Sequence, residues 1–341
     1  MTVLPSAESA RPSATTGGRP PLVGLIPAAG RGTRLSPLPF SKELMPVGYQ
    51  HVSDGADRKP KPVSQYLVER MRMAGASQIF FIVRAGKWDI ADYYGDGSRL
   101  GLSCAYLHAG LPWGPPFSLS QAVPFIPQAD VVFGFPDILI DPVDSFTPLL
   151  QRKVETGADV VLGLFDATAR EPGDVITHDP ASGRVQRLET KEERPRRPEH
   201  YTCWMFAVWG PRFTAFLAEE CRRLAVEAEA RIKADPLAKA PEWPVGAVIS
   251  AAISAGLHVN SVYFPKGRFL DIGEPSGITA AAAFPGVWNG LDAHPRDAAA
   301  DDGAAGEVVA AGVAAGADAR DGADGGNGAG GAAATGGGAG R

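Results

Sequence analysis

Val23-Gly24-Leu25-Ile26-Pro27-Ala28-Ala29-Gly30-Arg31-Gly32-Thr33-Arg34 begins as a short apolar strand and runs straight into a loop of small residues. Two glycines, Gly30 and Gly32, alternate with Arg31, and Arg34 follows at once. Lys42 comes next, behind Pro37 and Pro39. Glycines let a backbone approach a phosphate and turn several N–H groups toward it, while Arg and Lys neutralise its charge. All three at the end of one strand suit a polyphosphate, such as that of a nucleotide. A Gly-x-Gly by itself would fit an ordinary strand-to-helix turn; its combination with Arg34 and Lys42 is what points to phosphate.

Two familiar phosphate loops are excluded by the letters. The chain has no G-x-x-x-x-G-K-(S/T) run, so the loop is not a Walker A loop. The third glycine of a dinucleotide fingerprint would fall at Leu35, and the Pro-rich stretch from Ser36 to Pro46 cannot carry the helix that fingerprint opens.

Outward from this segment, apolar runs and helical periodicities alternate. Val63, Tyr66, Leu67, Met71 and Ala74 recur at helical spacing before Gly75. Ile79 to Val83 is a continuous apolar strand, and Trp88 to Tyr94 reads as a helix ending at Gly95. Leu102, Cys104 and Tyr106 alternate as a strand does. Val131 to Phe135 and Val160 to Phe165 are further buried strands around a helical stretch from Phe146 to Val154. Alternation of this kind specifies an α/β fold: a mostly parallel sheet with helices on both faces, binding ligands beyond the carboxyl ends of its strands. The second half adds strands at Arg184 to Leu188 and Tyr201 to Trp209 around a charged connection. A long helix follows from Pro211 to about Lys233, then a helix from Val245 to Ala255 and a strand from Val259 to Phe264. These read as an added substrate-facing layer.

The chain has 341 residues, enough for a large core, with 45% hydrophobic and 21% charged residues. A net charge of −5 without a basic stripe excludes a general nucleic-acid binder. Cys104, Cys203 and Cys221 lack metal-ligand spacing and suit reduced structural thiols. No signal-peptide or membrane-spanning pattern is present, so a cytoplasmic location is expected. Residues 1–20 and the Ala/Gly/Asp-rich residues 288–341 bury too little apolar surface to order themselves and are expected to be disordered, leaving residues 21–287 as the folded domain.

Four further positions complement the loop: Asp137 after Gly134-Phe135-Pro136, Asp271 in Arg268-Phe269-Leu270-Asp271-Ile272-Gly273, Lys191 in Leu188-Glu189-Thr190-Lys191, and Gln121 in Ser118-Leu119-Ser120-Gln121-Ala122. Two carboxylates at strand ends could hold a Mg²⁺ bridging phosphate oxygens, whereas each Asp alone could simply begin a turn.

With these residues in view, the chain resembles the sugar-1-phosphate nucleotidyltransferases, particularly the glucose-1-phosphate thymidylyltransferase and uridylyltransferase group. The loop pattern (G/A)-G-x-G-T-R-L-x-P is met by Ala29 to Pro37, and (S/T)-K-x-(L/M)-(L/M)-P by Ser41 to Pro46. Lys61-Pro62, Tyr94 to Ser98, Leu188 to Lys191 and Phe269 to Gly273 match in order, so the resemblance spans roughly residues 22–285. It implies a Rossmann-like nucleotidyltransferase sheet with a smaller sugar-facing layer. It also implies a reaction joining an NTP, dTTP or UTP first, to a sugar 1-phosphate such as glucose 1-phosphate, with Mg²⁺ as cofactor. Ala28, Ala29, Gly30, Arg31, Gly32 and Thr33 would cradle the nucleotide, with Gln121 on the base edge. Arg34 would contact the leaving pyrophosphate and Lys42 the α-phosphate. Lys191 with Glu189 would hold the sugar phosphate, and Asp137 with Asp271 the metal.

The chain departs from the family in four places. Phe135-Pro136 separates Gly134 from Asp137, Thr190-Lys191-Glu192 stands for Glu-Lys-Pro, and Ser118 replaces a glycine. A longer loop, Tyr49 to Lys59, precedes Lys61. Homo-oligomerisation is compatible with this reading, and neither a nucleic acid nor a membrane is expected as partner. The altered Gly134 to Asp137 segment supports an alternative of another class, a nucleotide- or sugar-nucleotide-binding regulatory module that has lost catalysis.

Overall fold

Continuous apolar runs become strands buried on both faces, and these build the centre of the molecule. The structure, a computed structural model, describes residues 20–51, 58–168, 173–237 and 239–287. The expected disorder of residues 1–19 and 288–341 lies outside them.

In chain order the elements are β1 (Leu22–Pro27), β2 (Pro46–His51), β3 (Arg58–Pro62), α1 (Val63–Met73), β4 (Gln78–Val83), α2 (Asp89–Tyr94) and β5 (Ser103–His108). Next come α3 (Pro115–Leu119), β6 (Asp130–Gly134), β7 (Ile138–Asp141), α4 (Phe146–Thr156), β8 (Val160–Thr168), β9 (Val175–His178) and β10 (Val185–Glu189). The rest are β11 (His200–Trp209), α5 (Pro211–Ala234), α6 (Val245–Ser254), β12 (Val259–Tyr263), β13 (Arg268–Asp271) and α7 (Pro275–Ala280).

Seven strands form one sheet in the order β12-β8-β11-β6-β1-β4-β5. β6, β1, β4 and β5 run parallel, as do β8 and β12, while β11 is antiparallel to both of its neighbours. The mostly parallel sheet read from the sequence is therefore present, with one reversed strand that periodicity does not reveal.

Alternation along each strand separates two cores. Val131 and Phe133 pack with Phe213, Leu217 and Leu224 of α5, while Val132 between them packs with Leu67 and Met71 of α1 and Leu149 of α4. Gly24 on β1 has a steric reason. A Cβ there would lie 2.3 Å from Ile79 Cδ1 and 2.7 Å from Met71 Sδ, so any larger residue would force both side chains to shift where α1 closes onto β1 and β4. α5 starts at Pro211, which suits the first turn of a helix, and buries Phe213, Leu217, Cys221, Leu224 and Ala228 along one face.

Three two-stranded ribbons stand outside the main sheet: β2–β3, β7–β13 and β9–β10. The first corrects the expected long loop from Tyr49 to Lys59. Tyr49 pairs with Pro60 and His51 with Arg58, so both ends of that segment belong to an antiparallel ribbon; residues 52–57 between them lie outside the described residues. The second ribbon brings β13 from near the domain's end against β7, immediately after Asp137. Among the described residues, Cys104, Cys203 and Cys221 form no disulfide. Among the described residues, no helix is long and apolar enough to cross a membrane.

Candidate active site

Parallel strands ending on one edge leave a crevice there, and the loop after β1 opens into it. A cleft of about 810 Å³ is lined by Ala29, Gly30, Arg31, Gly32 and Thr33 from that loop, together with Lys42, Glu43 and Asp137. Arg84 after β4, the segment Ala109 to Pro112 after β5, and Ser118 of α3 close its other side. Ala28 behaves differently from its neighbours. It is buried, and its N–H donates to the Ile82 carbonyl at 2.8 Å, continuing the β1–β4 ladder instead of facing the cleft.

Gly32 adopts a φ of +64°, which bends the loop back so that the Leu35 N–H reaches the Gly32 carbonyl at 3.0 Å. The Lys42 stem runs beneath this loop. Ideal Cβ atoms on Gly30 and Gly32 would sit 3.9 Å from its Cε and 3.5 Å from its Cδ. Its ammonium donates to Asp137 Oδ2. Burial pulls the Lys42 pKa down, but the charge and hydrogen bond of Asp137 outweigh it and leave it above the ordinary value.

The short 3₁₀ turn carrying Lys42 is anchored from behind. Asp89 accepts from Ser41 N–H and Ser41 Oγ, both at 2.7 Å. Glu43, only 1% exposed, accepts from Lys87 Nζ at 2.7 and 2.6 Å through its two oxygens. Burial raises the Glu43 pKa and lowers that of Lys87, each partly opposed by the partner's charge. The role of Glu43 and Lys87 was not legible in the sequence.

Asp137 and Asp271 come together through the β7–β13 ribbon. Ile138 is the register partner of Asp271, and the Ile272 N–H donates to the Asp137 carbonyl at 2.8 Å. Both carboxylates face the bare backbone of Gly273: a Cβ there would lie 2.8 Å from Asp271 Oδ1 and 2.9 Å from Asp137 Oδ2. The Asp271 carboxyl is raised above its ordinary pKa, first by burial and then by the neighbouring Asp137 charge. Among the described residues no group of three or more His, Cys, Asp and Glu gathers for a metal, so this pair is what the fold offers. Arg34 joins from the loop, pairing with Glu274 and, at 3.5 Å, with Asp271.

Three sequence-expected residues lie elsewhere. Gln121 does not line the cleft; its amide donates to the Phe117 carbonyl at 3.2 Å, while Ser118 one turn earlier faces the cleft. Glu189 is held by Arg194 at 2.9 Å and Arg187 at 3.2 Å, and Lys191 is exposed. Their neighbour Glu192 lines a side cavity of about 350 Å³ that shares Pro115, Lys239, Ala240 and Glu242 with the main cleft. Arg84 was missed by sequence reasoning. Its signal was a cation placed directly after the apolar run of β4, at the ligand-binding edge of a parallel sheet.

A family model for nucleotidyl transferases matches residues 23–284, and the chain belongs to that family. The UTP–glucose-1-phosphate uridylyltransferase of Escherichia coli is 24% identical over 250 residues, covering 62% of this chain and 79% of that protein. A glucose-1-phosphate thymidylyltransferase from Streptomyces griseus is 27% identical over 175 residues, covering 50% of this chain and 45% of that one. A low-salt glycan biosynthesis nucleotidyltransferase from Haloferax volcanii is 30% identical over 131 residues, and the match spans only 34% of its length. Among solved structures, a UDP-glucose pyrophosphorylase complexed with UDP-glucose superposes with a TM-score of 0.58 at 16% identity. That match covers 77% of this chain and 97% of the other, and shows a shared fold.

Proposed function

We propose that this chain transfers a nucleotidyl group from an NTP to a sugar 1-phosphate, releasing pyrophosphate. dTTP or UTP with glucose 1-phosphate is the first combination to try, and the setting is cytoplasmic nucleotide-sugar synthesis. The observation that carries this reading is the convergence of a glycine loop, Lys42 and Asp137 on one cleft, with Asp271 beside Asp137.

In the reaction a phosphate oxygen of the sugar phosphate forms a bond to the α-phosphorus, and the bond from that phosphorus to the β-bridging oxygen breaks. The nucleophile is already an anion, so no general base is required, and the cleft offers charge and backbone donors in place of a His or Ser nucleophile. Catalysis then rests on positioning and on charge neutralisation at the α-phosphate. The N–H groups of Gly30 to Thr33 would cradle the phosphates. Lys42 would leave Asp137 for the α-phosphate, and Arg34 would leave Glu274 for the pyrophosphate.

Two hard carboxylates facing an open glycine backbone suit Mg²⁺, which takes its remaining ligands from phosphate and water. Bound there by Asp137 and Asp271, it would neutralise phosphate charge. Lys191 and Glu189 are proposed for the sugar phosphate by resemblance alone, and the side cavity beside Glu192 supports a sugar end on that flank.

Pyrophosphate release measured with each NTP and dTTP against glucose 1-phosphate and mannose 1-phosphate tests the reading. Turnover with at least one pair is expected. Binding of nucleotide without Mg²⁺ and without pyrophosphate release would favour the regulatory alternative.

A further inference from the structure

We infer that Arg84 reads the nucleobase and selects bases that present a keto oxygen, namely uracil, thymine and guanine, over the amino bases cytosine and adenine. This rests on the nucleotide reading proposed above and names a specificity residue for the same cleft.

Position gives the first argument. The sheet order β6-β1-β4-β5 sets Arg84, at the end of β4, on the opposite side of the β1 loop from Asp137, which follows β6. Lys42, Asp137, Asp271 and Arg34 cluster at the phosphate-transfer end. The part of a nucleotide that extends the other way is the nucleoside.

The second argument is charge bookkeeping within the cleft. Of the cations that line it, Lys42 is paired with Asp137, Arg31 and Lys239 are exposed, and Arg84 is the one that is partly buried while its side chain makes no hydrogen bond or ion pair with any described residue. Donors at the wall of a cleft that no protein group engages are available to an acceptor on a ligand.

The surroundings suit a flat ring. Ala109, Leu111 and Pro112 give apolar walls, and a Cβ on Gly110 would meet nothing within 4 Å, so the rim is open. Gln121, expected at the base edge by resemblance, donates its amide to the Phe117 carbonyl at 3.2 Å.

Chemistry then decides the selectivity. A guanidinium has N–H donors and no acceptor. It pairs with O4 of uracil or thymine and with O6 and N7 of guanine, but meets a donor at N4 of cytosine and N6 of adenine. A contact of this kind discriminates by about tenfold to a hundredfold.

The test is calorimetric titration of the full chain with UTP, CTP, GTP and ATP in Mg²⁺, repeated on Arg84→Met and Arg84→Gln. The wild-type chain should bind UTP over CTP and GTP over ATP by at least about tenfold. Both variants should bring those ratios toward one, with Arg84→Gln improving CTP, because an amide offers an acceptor as well as a donor. Unchanged ratios in both variants, an equal loss for all four nucleotides, or an amino-base preference in the wild type would each overturn the assignment while leaving the nucleotide reading intact. Absence of binding by the wild type to any of the four would overturn the nucleotide reading itself.

Discussion

Replacing Lys87 by Met should destabilise the fold by about 3–5 kcal/mol, the cost of leaving a buried carboxylate without its partner. Glu43 is 1% exposed and Lys87 8%, and two hydrogen bonds of 2.7 and 2.6 Å join them. At an effective dielectric of about 20, opposite charges roughly 3 Å apart attract by about 5–6 kcal/mol. Taking both ions out of water costs several kcal/mol each, so the intact pair contributes little net stability. Removing one member deletes the attraction and leaves the other's desolvation in place. The double change Glu43→Gln with Lys87→Met removes both charges and should recover at least about 2 kcal/mol of the single-variant loss. Urea denaturation of the wild type, both single variants and the double variant measures this coupling. Additive losses, or a Lys87→Met cost below about 1 kcal/mol, would refute the account of an anchored Lys42 turn.

Lys42→Ala should lower turnover per folded molecule about a hundredfold to a thousandfold, in line with loss of one transition-state charge contact. It should also lower the denaturation midpoint, because it leaves the buried Asp137 carboxylate without its partner, so pyrophosphate release is read below that midpoint. Asp137→Asn and Asp271→Asn should each raise the Mg²⁺ concentration needed for half-maximal activity, and the double variant should be little worse than the worse single one, because groups serving one ion act as a unit. Multiplicative losses in that series would separate the two residues. Burial pushes the Asp174 carboxyl from 3.8 up to about 6, against the 2.9 Å hydrogen bond it accepts from Trp204 Nε1. The native state therefore holds a proton that the unfolded chain has released, and this stabilisation is present below about pH 4 and lost as pH rises through about 6. Asp174→Asn keeps an acceptor for Trp204 and should exceed the wild type by about 2–3 kcal/mol at pH 8 but not at pH 4, as measured by denaturation across that range.

The central strands were legible because burial on both faces leaves a continuous apolar run, as in Ile79 to Val83 and Val131 to Phe135. The ribbons were not. β7 and β13 are four residues each and meet only through the fold, and β2–β3 contains Pro46, Pro60 and Pro62, which read as loop. The direction of β11 was also hidden, since alternation reports a strand and not its orientation. In the cleft, the glycine loop and Lys42 were readable because a glycine turn after an apolar strand is a local property of the chain. Arg84 had only the weak signal of a cation after an apolar run, and a lone arginine acquires meaning from what surrounds it in the fold.

Asp137 shows how the fold absorbs a departure in sequence. Phe135-Pro136 stands where the family's glycine and aspartate are adjacent, yet Asp137 still arrives beside Asp271. Phe135 packs edge-on against Phe133 with ring centroids 5.1 Å apart and lies 5.9 Å from Trp204, so the extra bulk is seated on the core. Its carbonyl accepts the Ile138 N–H at 3.2 Å, closing a tight turn around Pro136. The position of Asp137 is then set by the ribbon that follows, through the Ile272 to Asp137 hydrogen bond and the pairing of Ile138 with Asp271. The strand that carries one carboxylate thereby fixes the other. A change in the turn alone leaves that register intact, which is why the altered segment is weak support for a chain that has lost catalysis.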